Sequence, residues 1–294
     1  MESGPQPIDG GLATELEARG HDLSGALWSA RILSDAPDEI RAVHAAYADA
    51  GARVLVTASY QVSREGYNAL GRTAGEADDA LRSSVRLARE AASDTGALVA
   101  ASVGPYGAIT HDGGEYRGRY ALADRDLVAF HRRRLEVLAE EEPDLLAVET
   151  IPDVDEVEAI AECLADFPGL PAWITVSCRD DATTCAGQPV ESAARAVAAA
   201  PSVAAVGVNC TAPGFIAGVL RRMSGATDLP LVAYPNGGRG WDPATGWSGT
   251  GVALADDDVL AWAGTAALIG GCCGVGPADI ARIARLLDGA RRSA

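Results

Sequence analysis

Short apolar runs rich in β-branched residues alternate with longer stretches of helical periodicity along the whole chain, and the alternation occurs eight times. The strand candidates are Pro7–Asp9, Arg53–Ser59, Leu98–Gly104, Leu145–Thr150, Ala172–Cys178, Ala204–Cys210, Leu231–Asn236 and Ala267–Gly271. Between them lie helix patterns with start and stop signals. Pro37-Asp38-Glu39 opens one with Ile40, Val43 and Tyr47 on its inward face, and Gly51 closes it. Val154, Val157, Ile160, Ala161 and Leu164 share a second face, and Ile280, Ile283 and Leu287 share the last. Strands separated by helices pair in parallel, because a parallel neighbour needs a crossover. Eight such units in 294 residues, about 37 residues each, predict an α/β fold, a single (β/α)8 TIM barrel over residues 1–294, in preference to an open doubly wound sheet.

A barrel of this kind gathers its chemistry where each strand ends and its βα loop begins. Those ends read Asp9-Gly10-Gly11, Ser59-Tyr60, Gly104-Pro105-Tyr106, Glu149-Thr150, Cys178, Asn209-Cys210, Pro235-Asn236 and Gly271-Cys272-Cys273-Gly274. Polar residues and glycines concentrate there.

Charge and residue usage narrow the field. Forty-one Asp and Glu against 24 basic residues give a net charge of −17, a surface that repels phosphate backbones and anionic lipid. No nucleic-acid or membrane partner is expected. All 24 cations are arginine, so chemistry that needs an amine, such as a Schiff base or a P-loop lysine, is excluded. No basic stretch runs into an apolar core at the N-terminus, and no segment reaches 18 uninterrupted apolar residues, so a cytoplasmic protein is expected.

Six cysteines in such a chain point away from a disulfide framework and towards metal binding or catalysis. Cys272 and Cys273 are adjacent, and neighbouring side chains on a regular strand face opposite ways; flanking glycines permit the departure from β geometry that would let both face one ion. Cys210 ends the sixth strand, two ring positions from the eighth. Three thiolates with one open position make a zinc site that can accept a ligand; the other reading is that these thiols are small core residues. Cys163, Cys178 and Cys185 are taken as core or loop residues. His21, His44, His111 and His131 form no metal-binding spacing.

Asp9 is either a turn or cap residue or a partner for an ammonium group, and Glu149 either a solvated strand end or the same. Asn209 either orients a metal shell or forms a turn. Tyr60 and Asn236 reach the same rim and are expected to contact a substrate. Trp28, Trp241 and Trp247 either pin loops or offer an aromatic face to a cationic ligand. Glu140-Glu141-Glu142 reads as a solvated helix end.

The chain resembles the homocysteine S-methyltransferases, in particular the zinc-dependent branch that uses S-methylmethionine. The matching stretches are DGGLATELEARG (9–20), LWSARIL (27–33), TASYQ (57–61), ASVGPYGA (101–108), EYRGRY (115–120), VET (148–150), GVNC (207–210), YPNGG (234–238) and GGCCG (270–274). The resemblance implies a (β/α)8 barrel, zinc on Cys210, Cys272 and Cys273, and the amino-acid end of homocysteine at Asp9, Gly10, Gly11 and Glu149. It implies a sulfonium methyl donor, S-methylmethionine or S-adenosylmethionine, as the second small-molecule substrate. Two positions depart from the family pattern: Gly274 stands where arginine is usual, and Gly11 where alanine is common. The readings that compete with this one are a barrel methyltransferase for another thiol or selenol, and a non-catalytic zinc- or thiol-binding barrel.

Overall fold

The computed structural model describes residues 4–23, 29–197, 200–238, 240–242, 246–248, 251 and 254–293. All eight expected strands form, as β1 (Gln6–Pro7), β2 (Val54–Val56), β3 (Leu98–Val103), β4 (Leu145–Ile151), β5 (Ala172–Val176), β6 (Val203–Asn209), β7 (Leu231–Tyr234) and β10 (Ala266–Ile269). Each pairs in parallel with its neighbours in the order β1-β10-β7-β6-β5-β4-β3-β2. The two ends of that order meet: Ile8 bridges Val54, Arg53 N–H donates to Pro7 O at 2.8 Å, and Asp9 N–H donates to Val54 O at 3.1 Å. The sheet closes as a TIM barrel, and the open-sheet alternative falls.

Helices cover the outside of the barrel and bury the faces expected of them. The helix Pro37–Asp49 places Ile40, Val43 and Tyr47 fully inside. The helix Val154–Leu164 starts at Asp153, whose side chain accepts the Asp155 N–H at 3.2 Å. The barrel interior is a separate cluster of Ile8, Val54, Ala100, Ala147, Trp173, Ala205, Val232 and Tyr234. Its three alanines leave the space that Trp173 fills, the alternation of small and large side chains that closes a barrel of eight strands.

Several strands are shorter at their C-terminal ends than the apolar pattern implies. Strand β2 stops at Val56, three residues before the expected Ser59, because Ala58–Gln61 turns out of the ladder at the barrel mouth. Between β4 and β5 the register slips between Val148 and Ile151, which puts Glu149 and Thr150 in the irregular segment. The solvated helix end expected at Glu140-Glu141-Glu142 holds for the exposed Glu140 and Glu142, while Glu141 departs from it. Glu140 and Glu141 pair with Arg82 (2.8 Å) and Arg86 (2.7 Å) of the helix Ala74–Ala92, and the Glu141 side chain is only 12% exposed. Packing of the two helices brings arginines opposite them.

Between β7 and β10, β8 (Gly240–Asp242) and β9 (Gly246–Ser248) form an antiparallel hairpin with Trp241 opposite Trp247 in register. The side chains of that hairpin, and Trp28, lie outside the described residues.

Candidate metal and substrate centre

Cys210 follows the last residue of β6 with a left-handed φ of +44°, and its N–H donates to Tyr234 O at 3.1 Å. After β10 the chain leaves the ladder. Gly271 N–H donates to Asp9 O at 3.0 Å, Cys272 N–H to Pro235 O at 2.7 Å, and Val275 N–H back to Cys272 O at 3.0 Å, closing a tight turn with Gly274 at φ +82°. That turn swings two consecutive thiols to one side. Cys210 Sγ lies 3.9 Å from Cys273 Sγ, Cys272 Sγ lies 4.0 Å from Cys273 Sγ, and all three sulfurs fall within 4.8 Å of one another. A tetrahedral zinc with Zn–S bonds of about 2.3 Å needs sulfur–sulfur edges of about 3.8 Å, so the three thiols fit that ion with little movement. Tyr116 OH stands 3.2 Å from Cys210 Sγ. Asn236 Nδ2 holds the Cys210 carbonyl at 3.3 Å, and Asn236 Oδ1 accepts the Gly238 N–H at 2.9 Å.

The three sulfurs open onto a cavity of about 760 Å3 at the C-terminal mouth of the barrel. Asp9, Gly10, Gly11, Tyr60 and Glu149 line it with the cysteines, while Asn236 does not. Asp9 and Glu149 are only 3% and 8% exposed. Asp9 Oδ2 accepts the Val56 N–H at 2.8 Å; burial above all, and then repulsion from Glu149, push its carboxyl well above the usual range. Glu149 bonds to the hydroxyls of Ser102 and Tyr234, and burial pushes it up to about 7. Tyr234 is itself fixed by Trp173 Nε1 at 3.1 Å and Thr175 Oγ1 at 2.9 Å. No arginine lines the cavity among the described residues, so two buried carboxylates face it without a counter-charge from the protein.

Glycine at 10 and 11 has a packing cause. A Cβ on Gly10 would stand 2.4 Å from Val275 O, and one on Gly11 would stand 2.6 Å from Cys272 O. The first strand end and the cysteine turn therefore meet backbone to backbone. The Gly11 N–H is engaged with Val275 O at 3.0 Å, whereas the Gly10 N–H has no partner among the described residues.

Residues 8–287 match the family described as homocysteine S-methyltransferase. The chain belongs to the homocysteine S-methyltransferase family. It is 44% identical to homocysteine S-methyltransferase 4 of Zea mays, over 95% of this chain and 88% of that one. It is 43% identical to the homocysteine S-methyltransferase of Escherichia coli, over 94% and 93%. The metallated crystal form of the Escherichia coli homocysteine methyltransferase MmuM superposes with a TM-score of 0.87 at 40% identity, over 97% of this chain and 96% of that one.

Within this member of the homocysteine S-methyltransferases, several residues at the site carry no signal as single letters. Arg134 is 2% exposed and donates to Val62 O (2.9 Å), Gly104 O (2.7 Å) and Tyr60 O (2.7 Å), which anchors the loops after β2 and β3. In sequence it is one of three consecutive arginines on a helix. Gln61, Glu115 and Tyr116 lie within the TASYQ and EYRGRY stretches and line the same cavity. Position within those stretches is the one signal that could have singled them out.

Proposed function

We propose that this protein transfers a methyl group from a sulfonium donor, S-methylmethionine or S-adenosylmethionine, to homocysteine, giving methionine, in the cytosol and with zinc on Cys210, Cys272 and Cys273. The observation that carries the reading is the coexistence, in one cavity, of three thiols at zinc spacing and two buried carboxylates without a counter-charge. A metal site alone has no use for the carboxylates. An amino acid bearing a thiol needs both.

Asp9 and Glu149 hold the homocysteine ammonium, and the free Gly10 N–H is available to its carboxylate. Gly11 serves by letting the cysteine turn approach, and Tyr60 closes the wall beside the substrate. Asn236 acts one step back, through the Cys210 carbonyl. Zinc bound by the three thiolates supplies an open position and the positive charge that keeps an incoming thiol deprotonated.

The substrate's ammonium, anchored at two strand ends, and its sulfur, turned to the cysteines, fix the line of attack. The acceptor sulfur forms a bond to the methyl carbon as the donor's carbon–sulfur bond breaks. The bonding pair stays on the donor sulfur, which departs as a neutral thioether, and the acceptor's thiol proton has already passed to solvent. No general acid is required. The cavity also favours a cationic donor on electrostatic grounds, with Glu17, Asp22 and Glu115 lining it beyond the two central carboxylates.

The test is initial rates of methionine formation by zinc-loaded protein from homocysteine with S-methylmethionine, S-adenosylmethionine, betaine and methyltetrahydrofolate in turn. The same donors are then run with other thiols and a selenol. Faster reaction with betaine or methyltetrahydrofolate overturns the donor class, and a preferred acceptor other than homocysteine overturns the acceptor.

A further inference from the structure

Among the described residues, two buried polar atoms in the cavity wall have no hydrogen-bond partner: Oε1 of Gln61 and Oε2 of Glu115. Gln61 is 9% exposed, and its Nε2 donates to Ala108 O at 2.9 Å, which fixes the amide and leaves Oε1 with nothing to accept. Glu115 lies in the short turn Gly114–Tyr116, packed against the turn Tyr106–Ile109 so closely that a Cβ on Gly107 would meet Glu115 N at 2.5 Å. Gln61, Ala108 and Glu115 thus belong to one continuous wall built by the loops after β2 and β3. The carboxylates at the ends of β1 and β4 are separate from it.

No arginine lines this wall among the described residues. Arg117, the nearest arginine in sequence to Glu115, is paired with Asp112 at 2.6 Å and acts on the Glu115 carboxyl only as the smallest of the influences on it, through space. Buried acceptors left without donors are costly and rare in native structures, and two in one ligand cavity call for a ligand rich in donors. A sulfonium centre has no N–H to give. A primary ammonium has three and carries the charge that a buried carboxylate needs. The acceptor's ammonium is already allotted to Asp9 and Glu149. Next to Glu115, Tyr116 reaches Cys210 Sγ at 3.2 Å, so a single turn spans from the metal centre to the unpartnered acceptors.

We infer that Gln61 and Glu115 receive the ammonium group of the methyl donor, so that the preferred donor is a sulfonium carrying its own amino group. The inference rests on the methyl-transfer reading above. It makes these two side chains determinants of donor specificity, with no part in holding homocysteine.

The experiment compares Glu115→Gln with the wild-type zinc enzyme, using S-methylmethionine and its ammonium-free analogue, a dimethylsulfonium butyrate. The substitution is expected to raise KM for S-methylmethionine by roughly ten- to a hundredfold, as expected for loss of a buried charge-assisted hydrogen bond. It should leave KM for homocysteine and the zinc content unchanged, and should remove the enzyme's preference for S-methylmethionine over the analogue. Gln61→Leu is expected to move the donor KM in the same direction while the homocysteine KM stays. A donor KM within about twofold of wild type, or an equal rise for both substrates, would overturn the inference and leave methyl transfer standing. Wild-type enzyme that makes no methionine from any sulfonium would overturn the transfer reading, and this inference with it.

Discussion

The side chain of Asn209 brackets Thr150: Oδ1 accepts the Thr150 N–H at 2.6 Å, and Nδ2 donates to Thr150 Oγ1 at 2.8 Å. Thr150 is β-branched yet has a φ of +61°, a region that costs such residues energy unless the surroundings impose it. It directly follows Glu149, and Asn209 directly precedes Cys210. The carboxylate at the end of β4 and the thiol at the end of β6 are therefore held by one bond pair, which places the two sides of the candidate site relative to each other.

Asn209→Ala would leave the Thr150 N–H unpaired and remove the acceptor that Thr175 Oγ1 uses at 2.8 Å. A loss of roughly 2–4 kcal/mol follows, with Thr150 released from its strained conformation. The expected result is a melting temperature lower by roughly 3–7 °C and a raised KM for homocysteine, with zinc still bound. Differential scanning calorimetry and acceptor titration measure both. An unchanged melting temperature would show that the bracket carries no energy.

Serine at Cys210, Cys272 or Cys273 should lose zinc and activity together, because a neutral hydroxyl is a far poorer zinc donor than a thiolate. The remaining cysteines are set apart by their surroundings. Burial pushes the Cys163 and Cys185 thiols up to about 11 and Cys178 higher still, so all three stay protonated at neutral pH. Alanine at any of these should retain about one zinc per chain by atomic absorption. Metal loss from those three and retention in the serine variants would reverse the ligand assignment.

Gly10→Ala is expected to weaken zinc binding although residue 10 touches no metal. Its Cβ would stand 2.4 Å from the carbonyl oxygen of Val275, whose N–H closes the cysteine turn on Cys272 O, a distance that forces the turn to move. Gly214→Ala, at a helix position where nothing lies within 4 Å of the new methyl, serves as the control. Competition against a chelator should show at least roughly tenfold weaker zinc retention in Gly10→Ala alone, the scale seen when the support of metal ligands is disturbed. Equal retention in the two variants would mean that the turn yields at no cost.

The barrel was legible because each strand is a short apolar run with a polar or glycine end, and each helix repeats at 3.6 residues. The three-cysteine cluster was legible because adjacent thiols among glycines make poor core. Arg134 was not, since the carbonyls of Tyr60, Val62 and Gly104 that it satisfies are orphaned only once β2 and β3 leave the sheet. Glu115 was illegible for a similar reason: a carboxylate in a polar loop reads as solvated until the turn Tyr106–Ile109 is packed against it. In sequence Asn209 reads as a metal-shell or turn residue. Its actual partners come from β4 and β5, far away in sequence.

Glu149 gives the site a pH dependence whose sign can be worked out. Its carboxyl, ordinarily near 4.5, is pushed up to about 7 by burial. Between those values the folded, substrate-free protein binds more protons at this group than the unfolded chain does. The contribution to stability is therefore complete below about 4.5 and is lost as pH rises through about 7. On the proposed reading the homocysteine ammonium pairs with the ionised carboxylate, so binding should strengthen over the same upper range. Glu149→Gln removes both effects. Relative to wild type, the variant should gain stability as pH rises from about 5.5 to 8, and should bind homocysteine roughly ten- to a hundredfold more weakly at pH about 8. Deprotonation of the homocysteine thiol also favours high pH, but that contribution is common to both proteins and cancels in the comparison. With saturating donor, log kcat/KM for homocysteine should rise more steeply for wild type than for Glu149→Gln, by up to about one unit per pH unit below the carboxyl's midpoint. Parallel profiles for the two proteins would remove Glu149 from contact with the ammonium and leave the three cysteines unaffected.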